Sequence, residues 1–272
     1  MVRRFLKDVE DGTYDTYAEL GGTEFPLHNP AMRKALRLQP RDPGVLVTNV
    51  VPTSSMDGIL QSGDVLVSLD GKPVDSAGHV VIDGESLNFN EVVERKFASD
   101  KVAVRFLRNG SWNDVDITLK TLPWIQMQAI QYGKRPRYLV FAGLVFQPLD
   151  TNLFATAKFD DVTVRRLYSD YVAKGIFQTR RDIVMLTRVE SDPLTTHLGE
   201  YAGRAVDKIN GTLVRDLRHA SELLNPANAP EFHVIELFGA DRPLIIRASD
   251  VAAANERVKK NYGIPVLSNF ED

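Results

Sequence analysis

Cysteine is absent from all 272 residues of the chain. This absence excludes disulfide bonds, thiolate nucleophiles and cysteine-based metal sites, but it suits an oxidising compartment as well as a reducing one. Long apolar runs are also missing. The longest, residues 139–146, is interrupted by Gly143 and predicts a strand, since a membrane span needs about 20 apolar residues. The start, Met1 to Leu6, is followed at once by charged residues and lacks the apolar segment of a signal peptide. We therefore expect a protein that is not exported or a piece of a longer chain.

An excess of charge of either sign is missing too, because 33 basic residues face 36 acidic ones and the net charge is −3. The densest basic stretch, Lys134-Arg135-Pro136-Arg137, predicts a solvated linker rather than a nucleic-acid-binding surface, which needs clustered basic residues. No histidine lies four residues from another, and no glycine-rich phosphate loop is present. We expect no metal, no cofactor and no nucleic-acid partner.

Two short polar pairs are the catalytic candidates of the sequence. Asp160-Asp161 resembles a carboxylate pair, but adjacent residues on a helix do not share a face, so a solvated helix surface is favoured. Ser54-Ser55 follow Pro52, where the pattern predicts a helix start, and helix capping is favoured over a nucleophilic role.

The elements that are predicted fall into two blocks of the same order, each with strands, a helix and a closing hairpin. In the first block, strands are expected at residues 44–51, 63–70, 102–107 and 112–119, and helices at 30–36 and 88–97. In the second, strands are expected at residues 138–141, 182–189, 203–209, 232–238 and 243–247, and helices at 162–174, 215–224 and 250–260.

The two blocks also repeat each other in sequence. Residues 63–74 match residues 203–214, with the first glycine, the turn dipeptide (Asp70-Gly71 and Asn210-Gly211) and the final valine in common. Residues 21–27 align with residues 143–149. A duplicated domain is the simplest account of this agreement.

The repeated segment carries a resemblance to a known family. Leu20-Gly21, then Gly44-Val45-Leu46-Val47, then Pro52-Thr53-Ser54, then residues 63–74 resemble the bacterial-type PDZ domain of Deg/HtrA serine proteases. Residues 138–149 and the ending Asn261-Tyr262-Gly263-Ile264-Pro265 resemble the plant-organelle and fungal Deg-like subgroup and its bacterial relatives. These proteins carry tandem PDZ domains after the protease, whose serine lies in Gly-Asn-Ser-Gly-Gly. No such segment occurs here, so no enzymatic activity is expected of this chain.

The resemblance implies an α+β (mostly β) fold with two PDZ-like domains. Each would be a five- to six-stranded, partly open β-barrel or sandwich with two or three helices. The first domain is expected at residues 1–122 and a linker at 123–137. The second is expected at residues 138–272, with a helical insertion and a C-terminal helix.

PDZ-like domains bind an extended peptide by adding it to the edge of a sheet, beside a helix and a glycine-containing loop whose N–H groups meet the terminal carboxylate. The residues that this implies for peptide binding in the first domain are Leu20, Gly21, Gly22, Thr23, Glu24, Phe25, Phe89, Val92 and Val93. For Phe89, Val92 and Val93, a role only in the core is an equal alternative.

In the second domain the strand at Val145 and Phe146 is apolar on both faces, which predicts burial rather than an open edge. The insertion between Leu149 and Arg181 is long enough to cover the groove. The residues assigned to peptide binding or docking in this domain are Phe141, Ala142, Gly143, Leu144, Val145, Phe146, Leu217 and Leu224.

The expected function is that of a non-catalytic regulatory module of a Deg/HtrA-type serine endopeptidase in protein quality control. It would bind exposed C-termini or unfolded segments, with the protease domain of the parent chain as a further partner and a homo-oligomer as its assembly. The alternatives are a free-standing tandem scaffold or oligomerisation module, and an enzyme with an unfamiliar site. The compartment stays open, with the periplasm or cell envelope expected if the parent is an exported bacterial protein.

Overall fold

The computed structural model describes residues 2–122, 126–157 and 162–271, and the chain divides into unit 1 (Met1–Trp124) and unit 2 (Ile125–Asp272). Residues 123–125 of the expected linker and the pair Asp160-Asp161 lie outside the described residues. The predicted α+β, mostly β architecture is confirmed in both units.

Unit 1 is built on an antiparallel sheet with the strand order β1-β2-β3-β7-β8, in which β4 pairs with β3, while β5 and β6 form a separate hairpin. Its strands are β1 Gly22–Pro26, β2 Val45–Val50, β3 Val65–Leu69, β4 Lys72–Pro73, β5 His79–Ile82, β6 Glu85–Asn88, β7 Lys101–Arg108 and β8 Ser111–Thr118. Its helices are α1 Val2–Asp8, α2 Pro30–Ala35 and α3 Asn90–Glu94.

Local sequence explains several of these elements. The carboxamide of Asn29 accepts the N–H of Ala31 at 2.9 Å and caps α2, whose first residue is Pro30. Asp70-Gly71 joins β3 to β4 and has φ values of 46° and 73°. Asn109-Gly110 joins β7 to β8 with 52° and 85°. Both are primed turns, which match the twist of antiparallel strands.

Unit 2 holds a larger sheet with the strand order β15-β14-β12-β11-β10-β9-β16, with β13 paired to β12. β9 and β16 extend it beyond the five or six strands expected. Its strands are β9 Tyr138–Phe141, β10 Leu144–Pro148, β11 Val184–Val189, β12 Arg204–Ile209, β13 Thr212–Leu213, β14 Phe232–Leu237, β15 Leu244–Arg247 and β16 Ser268–Asn269. Its helices are α4 Thr151–Thr156, α5 Val162–Ala173, α6 Leu217–Leu224 and α7 Ala248–Tyr262.

The inserted helices of unit 2 have a small core of their own. Val164 and Tyr171 of α5 are buried against Met185 of β11 and against Leu149 and Ile183, which flank β10 and β11. The main core of unit 2 lies between the sheet and the helices α6 and α7, and it contains the buried faces of β9, β10 and β12. The insertion therefore packs as an added layer with its own apolar contacts.

Three local predictions are corrected by the structure. The predicted helix start at Pro52 is wrong, because Thr53 has a left-handed φ of 71° and the segment forms turns. Ser55 caps no helix: its hydroxyl donates to the Glu19 carbonyl and accepts the N–H of Lys120 at 2.8 Å. The helix expected at residues 88–97 shortens to α3, since Asn88 pairs with His79 in the β5–β6 hairpin, which was not predicted.

Candidate functional site

The outer edge of β1 is free of any strand in the part of the chain that the structure describes. β1 pairs with β2 on one side only and stands at the end of the strand order. Its residues Thr23, Glu24 and Phe25 are exposed to solvent. An unpaired strand edge presents backbone N–H and C=O groups that another extended chain can pair with.

A cleft of about 290 Å³ lies beside this edge, between β1, the loop that precedes it and α3. We call it the unit 1 cleft. Its lining is Ala18, Glu19, Leu20, Gly21, Gly22, Thr23, Glu24, Val47, Val51, Met56, Leu66, Phe89, Asn90, Val93, Glu94 and Leu122. Seven of the nine residues that the sequence suggested for this domain are in this set, and Phe25 and Val92 are outside it.

The loop that begins the unit 1 cleft has a backbone that favours glycine. Gly21 has φ 80°, and a Cβ atom there would lie 2.2 Å from Cβ of Ser54, far inside van der Waals contact. The carbonyls of Leu20 and Gly21 accept the N–H groups of Met56 at 3.1 Å and Val51 at 2.9 Å. The N–H groups of Leu20 and Gly21 have no acceptor among the described residues. The loop thus holds two unpaired donors at the edge of the unit 1 cleft.

The apolar wall of the unit 1 cleft belongs to the core as well. Phe89 and Val93 are 3% and 1% exposed, and both line the cleft while packing in the main cluster of unit 1. Val92 is buried in the same cluster but is turned away from the cleft. Val92 therefore fits the core alternative alone, whereas Phe89 and Val93 are core residues that also line the cleft.

Part of the polar lining of the unit 1 cleft was missed in the sequence: Glu19, Asn90 and Glu94 were not among the suggested residues, whereas Glu24 was. Burial raises the pKa of Glu19 above its ordinary value, and the charge of Glu94 raises it further. The side chain of Glu24 is exposed, and partial desolvation alone raises its pKa. Asn90, Val93 and Glu94 share one helix face by their spacing of three and four residues. Because Val93 was already a candidate, this helical spacing could have predicted that Asn90 and Glu94 also line the cleft.

The corresponding segment of unit 2 has the same register as β1. The β1–β2 pairing shifts between Thr23 and Glu24, and the β10–β11 pairing shifts between Val145 and Phe146. The Gly143 carbonyl accepts the N–H of Glu190 at 2.8 Å, as the Gly21 carbonyl accepts that of Val51. Glu24 and Phe146 thus occupy the same structural position.

The outer side of β10 is occupied by β9, with Val145 opposite Val140 and Phe146 opposite Leu139. The strands meet at a primed turn, in which Ala142 and Gly143 have φ values of 51° and 91°. The N–H of Ala142 donates to Oδ1 of Asn255 on α7 at 2.7 Å. The loop donor is therefore used inside the unit.

The strand edge of β10 is covered by β9 and not by the insertion between Leu149 and Arg181, which was the cover expected from the sequence. Seven of the eight residues suggested for binding or docking in this domain are buried, and Val145 is half-buried. Those eight residues are Phe141, Ala142, Gly143, Leu144, Val145, Phe146, Leu217 and Leu224.

Neither a metal centre nor a membrane-spanning helix is found in the described part of the chain. Within it, no three His, Asp or Glu side chains are grouped so that they could hold a metal ion. No helix there combines the length and the apolar character needed to cross a membrane.

Comparison with known families agrees with this geometry. Residues 127–268 match a PDZ domain model, and residues 35–119 match a second PDZ domain model. The chain belongs to the PDZ domain family.

Its curated relatives are proteases of the Deg/HtrA group. Protease Do-like 2, chloroplastic, of Arabidopsis thaliana is 29% identical over 267 residues, covering 97% of this chain and 43% of that protein. Protease Do-like 4, mitochondrial, of the same plant is 26% identical, covering 100% of this chain and 50% of its own length. The chain spans half or less of the length of these relatives.

Among solved structures, the HtrA-type protease AlgW with a decapeptide is 21% identical. The match covers 44% of this chain and 34% of that one, with a TM-score of 0.33.

Proposed function

We propose that this chain is a non-catalytic, peptide-binding regulatory module of a Deg/HtrA-type serine endopeptidase. Unit 1 binds an exposed C-terminus or an unfolded segment by strand addition in the unit 1 cleft. The observation that carries the proposal is the free edge of β1 beside a cleft with two unpaired backbone donors. The PDZ family match and the protease relatives support it.

The self-covered strand in unit 2 favours a different task for that unit. With β9 along β10, an incoming peptide finds no free N–H and C=O row at this place in the sheet. Unit 2 therefore serves docking or assembly within the parent protein. A free-standing scaffold without a protease is the second candidate, and the sequence that precedes Met1 in the native protein separates the two.

Fluorescence anisotropy of the chain with labelled peptides tests strand addition. Extended peptides with apolar C-termini are compared with two N-methylated versions of each. One version is methylated at the odd-numbered residues and the other at the even-numbered residues, and these are the two N-methylation phases. Because only every second peptide N–H faces the strand in an antiparallel pair, we expect one phase to weaken binding at least about tenfold and the other to change it little. Amidation of the C-terminus shows whether the Leu20 and Gly21 donors bind the carboxylate.

Two tryptophan variants locate the site. Asn90→Trp places a large ring in the unit 1 cleft, whereas Ala31→Trp adds the same ring at an exposed position of α2. We expect Asn90→Trp to abolish binding and Ala31→Trp to leave it unchanged. Equal affinities for both variants, or equal effects of the two N-methylation phases, would contradict strand addition at β1.

A further inference from the structure

Three carboxylates line the unit 1 cleft without a cation to pair with. Glu19 lies in the loop, Glu24 on β1 and Glu94 on α3, so they come from three different sides of the cleft. Among the described residues, the lining contains no Lys, Arg or His. None of the three carboxylates forms an ion pair with a described residue.

The basic side chains nearest in the chain are engaged elsewhere. Lys120 is the bridge partner of Glu19, but its Nζ lies 3.4 Å from the Ser54 carbonyl oxygen. Just after α3, Arg95 pairs with Glu91 and Asp83. Lys96 pairs with Asp70 at 2.8 Å. The described basic side chains of unit 1 therefore do not neutralise the negative charge of the cleft.

The carboxylates are also held in a setting that disfavours their charge. Although both side chains are largely exposed, partial desolvation raises the pKa of Glu19 and of Glu24, and the neighbouring Glu94 raises that of Glu19 further. A cationic group of a ligand placed among these carboxylates stabilises their charged form and lowers their pKa values again. This stabilisation contributes favourably to the free energy of binding. Glu85, on the exposed strand β6 of the same unit, lies outside the cleft and offers a matched control.

We infer that the unit 1 cleft selects extended peptides that carry a lysine or arginine side chain within the segment that pairs with β1. This inference rests on the proposed function and adds the chemistry of the preferred peptide. The side chains of an extended peptide alternate between its two faces. A lysine or arginine at one position therefore lies on the α3 side, where Glu94 is, and one at the next position lies on the opposite side. Like-charged peptides with Asp or Glu at those positions are rejected by the same three carboxylates.

Labelled peptides of one apolar background, each made with a free and with an amidated C-terminus, test the inference with the whole chain. One position at a time carries arginine, citrulline or glutamate. Citrulline has the shape of arginine without its charge. We expect arginine to bind roughly fivefold tighter than citrulline at low salt, and glutamate to bind more weakly than citrulline, with the differences shrinking in high salt. The preference should be lost in the Glu19→Gln/Glu24→Gln/Glu94→Gln triple variant and kept in Glu85→Gln.

The outcomes separate this inference from the proposed function. If the citrulline peptides bind at β1 but arginine gives no gain, the charge selection is wrong and the binding site stands. If the preference for arginine survives in the triple variant, the carboxylates of the cleft do not cause it. If no peptide of any charge binds, the proposed function itself fails.

Discussion

The equivalent strands β1 of unit 1 and β10 of unit 2 have different neighbours. β1 and β10 share their register shift and the hydrogen bond of the preceding glycine carbonyl. β1 ends its sheet beside the unit 1 cleft, whereas β10 lies between β9 and β11. The duplicated fold thus offers one edge for a partner and covers the other with its own chain.

The backbone just before β1 or β10 determines whether the outer edge of that strand is free or covered. In unit 2, Ala142 and Gly143 are both left-handed and turn the chain back onto β10. In unit 1 only Gly21 is left-handed, and the preceding segment pairs elsewhere, Glu19 with Lys120. The side chains agree with this difference, because Glu24 is exposed at the position where Phe146 is fully buried. Turn geometry and strand polarity therefore change together.

Exchanging the residues at this shared position should give the largest effect. Phe146→Glu puts a carboxylate into the core beneath β9 and removes an aromatic ring, so we expect unit 2 to lose at least about 4 kcal/mol of unfolding free energy. Glu24→Phe changes an exposed site, and we expect a change within about 0.5 kcal/mol. Hydrogen exchange of the whole chain, measured on fragments of each unit, reports both changes. Similar losses in the two variants would contradict the difference in burial.

Alanine at the two loop glycines should have an intermediate effect. Gly143 has φ 91°, and a Cβ there would lie 2.8 Å from Oγ1 of Thr195, while at Gly21 it would meet Ser54. We expect each variant to lower the unfolding free energy of its unit by about 2–3 kcal/mol, because backbone strain and steric conflict add together. Gly21→Ala should also weaken peptide binding, because it displaces the Leu20 and Gly21 donors.

Controls for backbone strain alone exist in both units. Gly12 in unit 1 and Gly203 in unit 2 have φ values of 85° and 89°, and a Cβ atom at either position would have no neighbour within 4 Å. Alanine there should cost only about 1 kcal/mol. If alanine at Gly21 or Gly143 lowers the unfolding free energy no more than alanine at these controls, the neighbouring atoms move aside at little cost and the predicted steric conflict is wrong.

The repeat and the tight turns were predictable from sequence because they depend on local chemistry. Glycine, Asp-Gly and Asn-Gly favour positive φ, so the hairpins at Asp70-Gly71 and Asn109-Gly110 followed from their dipeptides. The two-sided apolar pattern at Val145 and Phe146 also indicated burial. What covers β10 could not be predicted, since it depends on the path of the preceding segment. Glu19 and Glu94 became part of one site only when the fold brought the loop and α3 together.

A pH-dependent difference between the units is the smallest effect that we expect. His233 on β14 is 3% exposed, and its ring lies edge-on to Phe141 with centroids 5.1 Å apart. The N–H of Val234 donates to Oδ1 of Asn210, as that of Ala103 donates to Oδ1 of Asp70. His233 therefore corresponds to Val102 of unit 1, a buried residue without a titrating group.

Burial lowers the pKa of His233 below its ordinary value of 6.5, so the folded unit keeps the ring neutral where the unfolded chain already binds a proton. Unit 2 should therefore have its full stability above pH 6.5 and lose part of it as the pH falls from there through the lowered pKa. Urea titrations at several pH values, followed by amide NMR signals of each unit, measure this loss. His233→Val, which copies the unit 1 residue, should remove the contribution of this ring. If the pH dependence of unit 2 between pH 6.5 and the lowered pKa is the same in the variant, the histidine is not its cause.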